Sequence, residues 1–198
     1  MHADGSDPEK APARRGATRE RILDAANQLF YSQGIRATSA DRIIEMVGIT
    51  KVTFYRHFRT KGDLVVAYLE QQAAAERAWM ESVIEKGDPI GSLRAFATSI
   101  GEASCQPGFR GCAFINAAAE FADAEDPVRM TVDAHRAWML HKFEGVAREA
   151  AVRDVAATAR QLMLLRDGAM VNGYLGAPEE VAASLGAAFT SIVEPARS

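Results

Sequence analysis

From Thr18 onward, apolar residues return every three or four positions, the period of an α-helix with one buried face. Ile22, Ala26 and Leu29 share a face, with Phe30 beside them, and Gly34 supplies a stop. Ile43, Ile44 and Val47 give a short second helix its apolar side. Thr38-Ser39-Ala40-Asp41 opens that helix with a Ser/Thr-x-x-Asp/Glu pattern, in which Asp41 would reach back to a backbone N–H, and Gly48 closes it. Thr50 is a good N-cap for a third helix, and Ile49 and Phe54 have the spacing of a hydrophobic staple. That helix has room for about two turns, because Thr60-Lys61-Gly62-Asp63 is a new capping box. A fourth helix runs from Lys61 towards Lys86, long enough to join two domains. Asp88-Pro89, Asp126-Pro127 and Ala177-Pro178 then mark helices over 89–104, 127–150 and 178–194, since proline at the first helical position gives up no needed N–H. Two more fit between, over about 109–123 and 153–175. No segment alternates as a strand should. The expected fold class is all-α, with about nine helices and no internal repeat.

Ahead of the first periodic segment, residues 1–17 are rich in Pro, Gly, Ala and charge and read as a disordered tail. No apolar run marks a secretory signal, and no segment is long and apolar enough for a membrane span. Two cysteines are too few for a disulfide framework, which makes a reducing cytoplasm the default compartment. The net charge is −3, but it is unevenly spread. Residues 10–61 hold eleven bases and four acids, a net +7; the remainder holds twelve bases and twenty-two acids, a net −10. A basic third on an acidic body points to a polyanion partner for the basic part alone.

That part also holds two short helices joined by Val47-Gly48-Ile49-Thr50, the form of a helix-turn-helix over about 39–58. Its second helix can enter a DNA major groove with its N-terminus leading. Thr50 and Lys51 lie where backbone N–H groups attract phosphate. Thr53 can bond a base edge or meet a thymine methyl, and Val52 offers apolar contact. Tyr55 and His57 suit phosphates, Arg56 suits phosphate or guanine, and Lys61 suits the backbone on the far side. Phe54 and Phe58 belong to the core instead. Ser39 and Arg42, at the start of the preceding helix, complete the candidate DNA-contacting set. The domains are thus a helix-turn-helix DNA-binding domain over 18–64 and a second domain over 65–198.

The stretch "TRERILDAANQLFYSQGIRATSADRIIEMVGITKVTFYRHFRTKGDLVVAYLE" resembles the DNA-binding domain of the TetR family of transcriptional regulators, over about residues 17–70. The resemblance implies a cytoplasmic homodimer, a repressor released from a pseudopalindromic double-stranded DNA operator when a small-molecule effector binds the C-terminal domain. It implies that Lys51, Val52, Thr53 and Tyr55 face bases or sugars, while Ser39, Arg56, His57 and Lys61 hold phosphates. Val52 departs from the glycine many members have, and "EMVGIT" from a commoner alanine-rich turn. "FRGCAFINAAAEFADAEDPVR" resembles, more loosely, a segment that lines the ligand cavity in one branch of the family.

In the second domain the candidate cavity residues are Trp79, Phe96, Phe109, Phe114, Trp138, Met139 and Met170. The polar candidates are Asn116, Glu120, His135, Arg166 and Asn172. Apolar walls with a few polar anchors are how small-molecule sites are built, although aromatics at helical spacing are more often plain core. His135 shares a face with Val128, Val132 and Met139 and reads first as a core histidine. Arg166-Asp167 reads as an intrahelical or dimer-interface charge pair. The last two helices are the expected dimer interface: Gly168, Ala169 and Gly173 permit close approach, and Val181, Leu185, Ala188 and Ile192 follow i, i+4, i+7, i+11. Two such helices from each subunit would form a four-helix bundle, the alternative being that these faces close the subunit's own core. Cys105 and Cys112 bracket the turn Gln106-Pro107-Gly108-Phe109-Arg110-Gly111, which leaves a redox switch as an alternative mode of regulation. His135 and His141, six apart, do not share a helix face, and no metal or other cofactor is expected. With no nucleophile elbow, phosphate loop or paired carboxylates, an enzyme is not expected.

Overall fold

The computed structural model describes residues 10–194, with side chains from Gly16 onward. Among these residues the chain is all-α and forms nine helices in two compact units, divided between Tyr68 and Leu69. The expected tail over residues 1–17 falls in part outside the described residues. Its last eight residues continue α1 (Lys10–Gln33), which begins earlier than Thr18. Pro12 then lies in the first turn, where its missing N–H removes no helical bond.

The first unit holds α1, α2 (Ala40–Val47), α3 (Lys51–His57) and the start of α4 (Lys61–Val83). Its core is Ile22, Leu29, Phe30, Ile43, Phe54, Phe58, Leu64 and Tyr68, all buried. Tyr68 sets its ring edge against Phe30 at 5.6 Å, which is why the division falls a turn beyond the boundary that the sequence places after 64. Arg21 Nη2 donates to the Val47 carbonyl at 2.6 Å, tying α1 to the end of α2. Asp63 and Thr60 cap each other at the start of α4, both bonds 3.0 Å, as the capping-box pattern predicts. The earlier pattern behaves differently. Ser39, not Thr38, caps α2 by accepting from the Arg42 N–H at 3.1 Å, and buried Thr38 donates to the Gly34 carbonyl at 2.8 Å.

In the second unit, α4 continues and is followed by α5 (Pro89–Ser104), α6 (Ala113–Glu120), α7 (Pro127–Glu149), α8 (Val155–Leu175) and α9 (Pro178–Val193). Asp88, Asp126 and Asp154 cap α5, α7 and α8 through their carboxylates, whereas Ala177 makes no side-chain cap before Pro178. α6 is shorter than the expected 109–123, because Gly108 and Gly111 take left-handed φ values of 82° and 75°. Helix cannot pass through two such residues. Phe96 lies within 6.2 Å of Trp79, Phe143 and Phe189, so one aromatic cluster joins α4, α5, α7 and α9. α5 and α9 approach closely at Gly101, where a Cβ would come within 3.0 Å of the Ala182 backbone.

Candidate functional sites

α2 and α3 meet through a turn that the backbone dictates. Gly48 is left-handed at φ 69°, and its N–H returns to the carbonyls of Ile44 and Glu45. The Ile49 N–H also bonds Ile44 O at 3.3 Å, closing the end of α2. Thr50 then caps α3 by accepting from the Thr53 N–H at 3.2 Å. With Phe54 and Phe58 buried, the opposite side of α3 is left to solvent. Lys51, Val52, Tyr55 and Arg56 are exposed there, Val52 to 72%. An apolar side chain that open, between cations, has no folding role to play.

Several candidate contacts already have partners. Lys51 Nζ lies 3.0 Å from Asp41 Oδ1, and this hydrogen bond raises the Lys51 pKa. Arg42 pairs with Glu45 at 2.8 Å. The hydroxyls of Thr50 and Thr53 share a bond of 2.9 Å, and Thr53 is half-buried. Lys61 donates to the Ile35 carbonyl at 2.6 Å, so it first ties the start of α4 to the turn after α1. His57 is half-buried and Ser39 is occupied as a cap. Arg56 and Arg59 form no ion pair among the described residues.

The second unit separates the cavity candidates. Phe96 and Met139 are core. Phe109 is half-buried and packs near Gly173, where a Cβ would meet its ring at 3.1 Å. Asn116 donates to the Arg110 carbonyl at 2.9 Å and Asn172 to the Gly168 carbonyl at 2.9 Å, both on the surface. Glu120 is half-buried on the last turn of α6. Met170 lines a 210 Å³ recess with Cys112, Asn116 and Tyr174. Phe114, His135, Trp138 and Arg166 come together. His135 stacks on Phe114 at 3.8 Å and on Trp138 at 5.5 Å. Its Nε2 meets Glu76 Oε2 at 2.5 Å, while Arg166 Nη2 donates to Glu76 Oε1 at 3.1 Å. Arg166 also reaches Asp167, which accepts from Arg136 at 2.7 Å. Burial pushes the Glu76 carboxyl up, but His135 and Arg166 together hold it below the usual range. Burial opposes the Arg166 charge, yet Cys112, Glu76 and Asp167 leave its pKa above the ordinary arginine value. Sequence reading omits Glu76, although it links the two buried groups that reading singles out.

The dimer candidates also divide. Val181 and Leu185 are buried within the single chain, and Gly173 lies under Ser104, whose Oγ a Cβ would meet at 2.3 Å. Ala188 and Ile192 are half-buried. The open apolar stripe is on α8 instead, with Leu164 71%, Val171 45% and Leu175 73% exposed. Beside it a 430 Å³ groove between α8 and α9 is lined by Leu164, Gly168, Ser184 and Ala188. Cys105 is exposed, Cys112 is buried, and both are free thiols. Among the described residues no helix is long and apolar enough to cross a membrane, and no three His, Cys, Asp or Glu side chains gather as a metal site would.

A helix-turn-helix head on an all-α second unit defines a class of regulator, and comparison with known proteins names it. The family described as "Bacterial regulatory proteins, tetR family" matches residues 22–68. The crystal structure of SCO4454, a TetR-family transcriptional regulator from Streptomyces coelicolor, is 37% identical, covering 92% of this chain and 97% of that one, with a TM-score of 0.86. This chain belongs to the TetR family, whose members are regulators and not enzymes. The transcriptional regulator YvkB of Bacillus subtilis is 35% identical over 83 residues, 42% of this chain and 43% of that protein. TtgR of Pseudomonas putida is 33% identical over 79 residues, 39% of this chain and 38% of that protein. The chain thus spans about two fifths of the length of these curated relatives. The reduced form of Escherichia coli NemR shares the fold, with a TM-score of 0.78 at 21% identity over 88% of this chain and 96% of that one.

Proposed function

We propose that the protein is a homodimeric, cytoplasmic transcriptional repressor that binds a pseudopalindromic DNA operator and leaves it when a small molecule occupies the second unit. The observation that carries this is the face of α3: Lys51, Val52, Tyr55 and Arg56 exposed on a capped helix whose other side is core. Lys51, Val52, Thr53 and Tyr55 read bases or sugars, with Val52 suited to a thymine methyl. Arg56, with Ser39, Arg42, Thr50, His57 and Lys61 around it, serves the phosphates. Two subunits pair through the exposed stripe of α8 and the adjoining face of α9, which places two heads on one operator. The effector binds better to the conformation whose heads miss the operator, and it shifts the equilibrium only by that difference in affinity.

Footprinting on the DNA upstream of its own gene tests the reading. The expected result is a two-fold symmetric protected site whose affinity falls steeply with salt. Absence of any site protected above background removes it. The redox alternative has less beneath it, since Cys105 is exposed while Cys112 is buried. Equal operator affinity in reductant and oxidant disposes of it.

A further inference from the structure

The exposed face of the head carries one contact that folding does not explain. Lys51, the first residue of α3, and Asp41, in the first turn of α2, approach to 3.0 Å. Their side chains are 62% and 72% exposed. An ion pair that open adds little to stability, because water screens it and two side chains must be held still. The acid is also out of place, since a carboxylate on a surface that meets DNA repels phosphate. Arg42 and Glu45 pair as well, at 2.8 Å, but they lie three apart on one helix, where such pairs form from spacing alone. Asp41 and Lys51 join two helices.

The valence of the ammonium decides what the pair can do. A lysine carries three N–H donors and no acceptor. One is spent on Asp41, and that hydrogen bond makes Lys51 hold its proton more firmly. Two remain, directed away from the carboxylate by the tetrahedral nitrogen. Guanine is the base whose major-groove edge offers two adjacent acceptors, O6 and N7. Adenine offers one acceptor beside a donor, thymine one beside a methyl group, and cytosine a donor. Phosphate offers acceptors too, and a free lysine on its flexible four-carbon stem turns to phosphate on any DNA. Asp41 opposes that turn in two ways. Lysine must give up its partner to make it, and the carboxylate repels the phosphate it would approach.

We propose that Asp41 is a positioning residue for DNA recognition: it holds the Lys51 ammonium so that the two remaining N–H groups read O6 and N7 of one guanine in each half-site, and it keeps that charge off the phosphates of other sequences. This rests on the operator-binding reading above and deepens it. Specificity is a difference of affinities, and Asp41 acts on both sides of it. It favours the operator by setting the donor pair in advance, and it disfavours other DNA by its charge.

The test is selection of binding sites by the full chain from duplexes with randomised positions, for the wild type, Lys51→Ala and Asp41→Asn. Each is also titrated with one random-sequence duplex across a salt series. Urea unfolding accompanies each variant, and the midpoint should not move, since the pair is exposed. The wild type should select a guanine that Lys51→Ala loses. Asp41→Asn should weaken the preference for that same guanine about tenfold and leave the other positions as they were. It should also bind the random duplex more tightly, with a salt slope steeper by about one unit as the freed lysine takes up a phosphate. The proposal is overturned if the position lost with Lys51 is not a guanine, or if Asp41→Asn keeps either the wild-type preference or the wild-type salt slope. It is also overturned if Asp41→Asn relaxes every position alike with a lowered urea midpoint, the sign of a merely structural role. A wild type that selects no site removes the repressor reading itself, whereas a selected site in which no position depends on Lys51 removes this inference alone.

Discussion

Arg166 is a cation where water barely reaches, and Glu76 and Asp167 are the carboxylates that make its burial tolerable. Glu76→Gln should therefore destabilise the chain by about 3–5 kcal/mol, the range for breaking a buried pair from one side, read from urea unfolding at pH 7. The same residue sets an acid limit. Its folded pKa lies below the ordinary carboxylate value, so its contribution is full above the unfolded pKa of about 4.3 and is lost as pH falls through the folded value. Wild-type stability should decline over that window, and Glu76→Gln should decline less. A pair of parallel pH profiles would contradict this. On the first unit, Arg56→Ala should weaken binding to every DNA sequence alike and lower the salt slope by about one unit, since it removes one phosphate contact. A change confined to one base position would make Arg56 a base reader. Lys61→Ala should act differently, by removing the tie from α4 to the Ile35 carbonyl and loosening the head. Glu76 was not legible beforehand. One acid among several on a long helix carries no signal, and its partners lie 59 and 90 residues away.

At the level of the helix, α3 has seven residues and depends on its ends. Thr50→Ala should cost about 1 kcal/mol by removing the cap, and Gly48→Ala about 1–2 kcal/mol by forcing a side chain into left-handed backbone. Both should lower the urea midpoint and operator affinity together; an unchanged midpoint for Gly48→Ala would mean the turn relaxes. These ends were legible because caps and glycine stops are local chemistry, and so were the proline starts of α5, α7 and α9. Tertiary context decided the rest. Val181 and Leu185 recur as interface residues do; they are buried in the single chain and also line the floor of the groove between α8 and α9. The period gives a face without saying what covers it. Thr38 and Asp41 fit a capping box, but Thr38 is buried on the Gly34 carbonyl and Asp41 goes to Lys51, which leaves Ser39 to cap.

For the molecule as a whole, the burial pattern separates two substitutions that look alike in the sequence. Leu164→Glu changes a side chain that is 71% exposed, so a single chain should keep its stability within about 0.5 kcal/mol. Its pairing with a second copy should fail, seen as a monomer in sedimentation. Operator affinity should then drop steeply with the loss of linked half-sites, leaving salt-sensitive non-specific binding. Leu185→Asp places a charge in a site that is 4% exposed and should unfold the second unit instead. A folded, dimeric Leu164→Glu with full operator affinity would move the interface away from the α8 stripe.

The two tryptophans of the chain, Trp79 and Trp138, both belong to the second unit. Trp138 stacks on His135 and carries Arg77 and Lys142 over its ring at 5.3 and 5.6 Å. The indole light of this protein therefore comes from one unit alone. Emission excited at the red edge of tryptophan absorption is blind to the DNA-reading head, whereas the far-ultraviolet dichroism sums helices from both. Where the two signals part during denaturation, the head and the second unit are melting separately, and no label need be attached to see it.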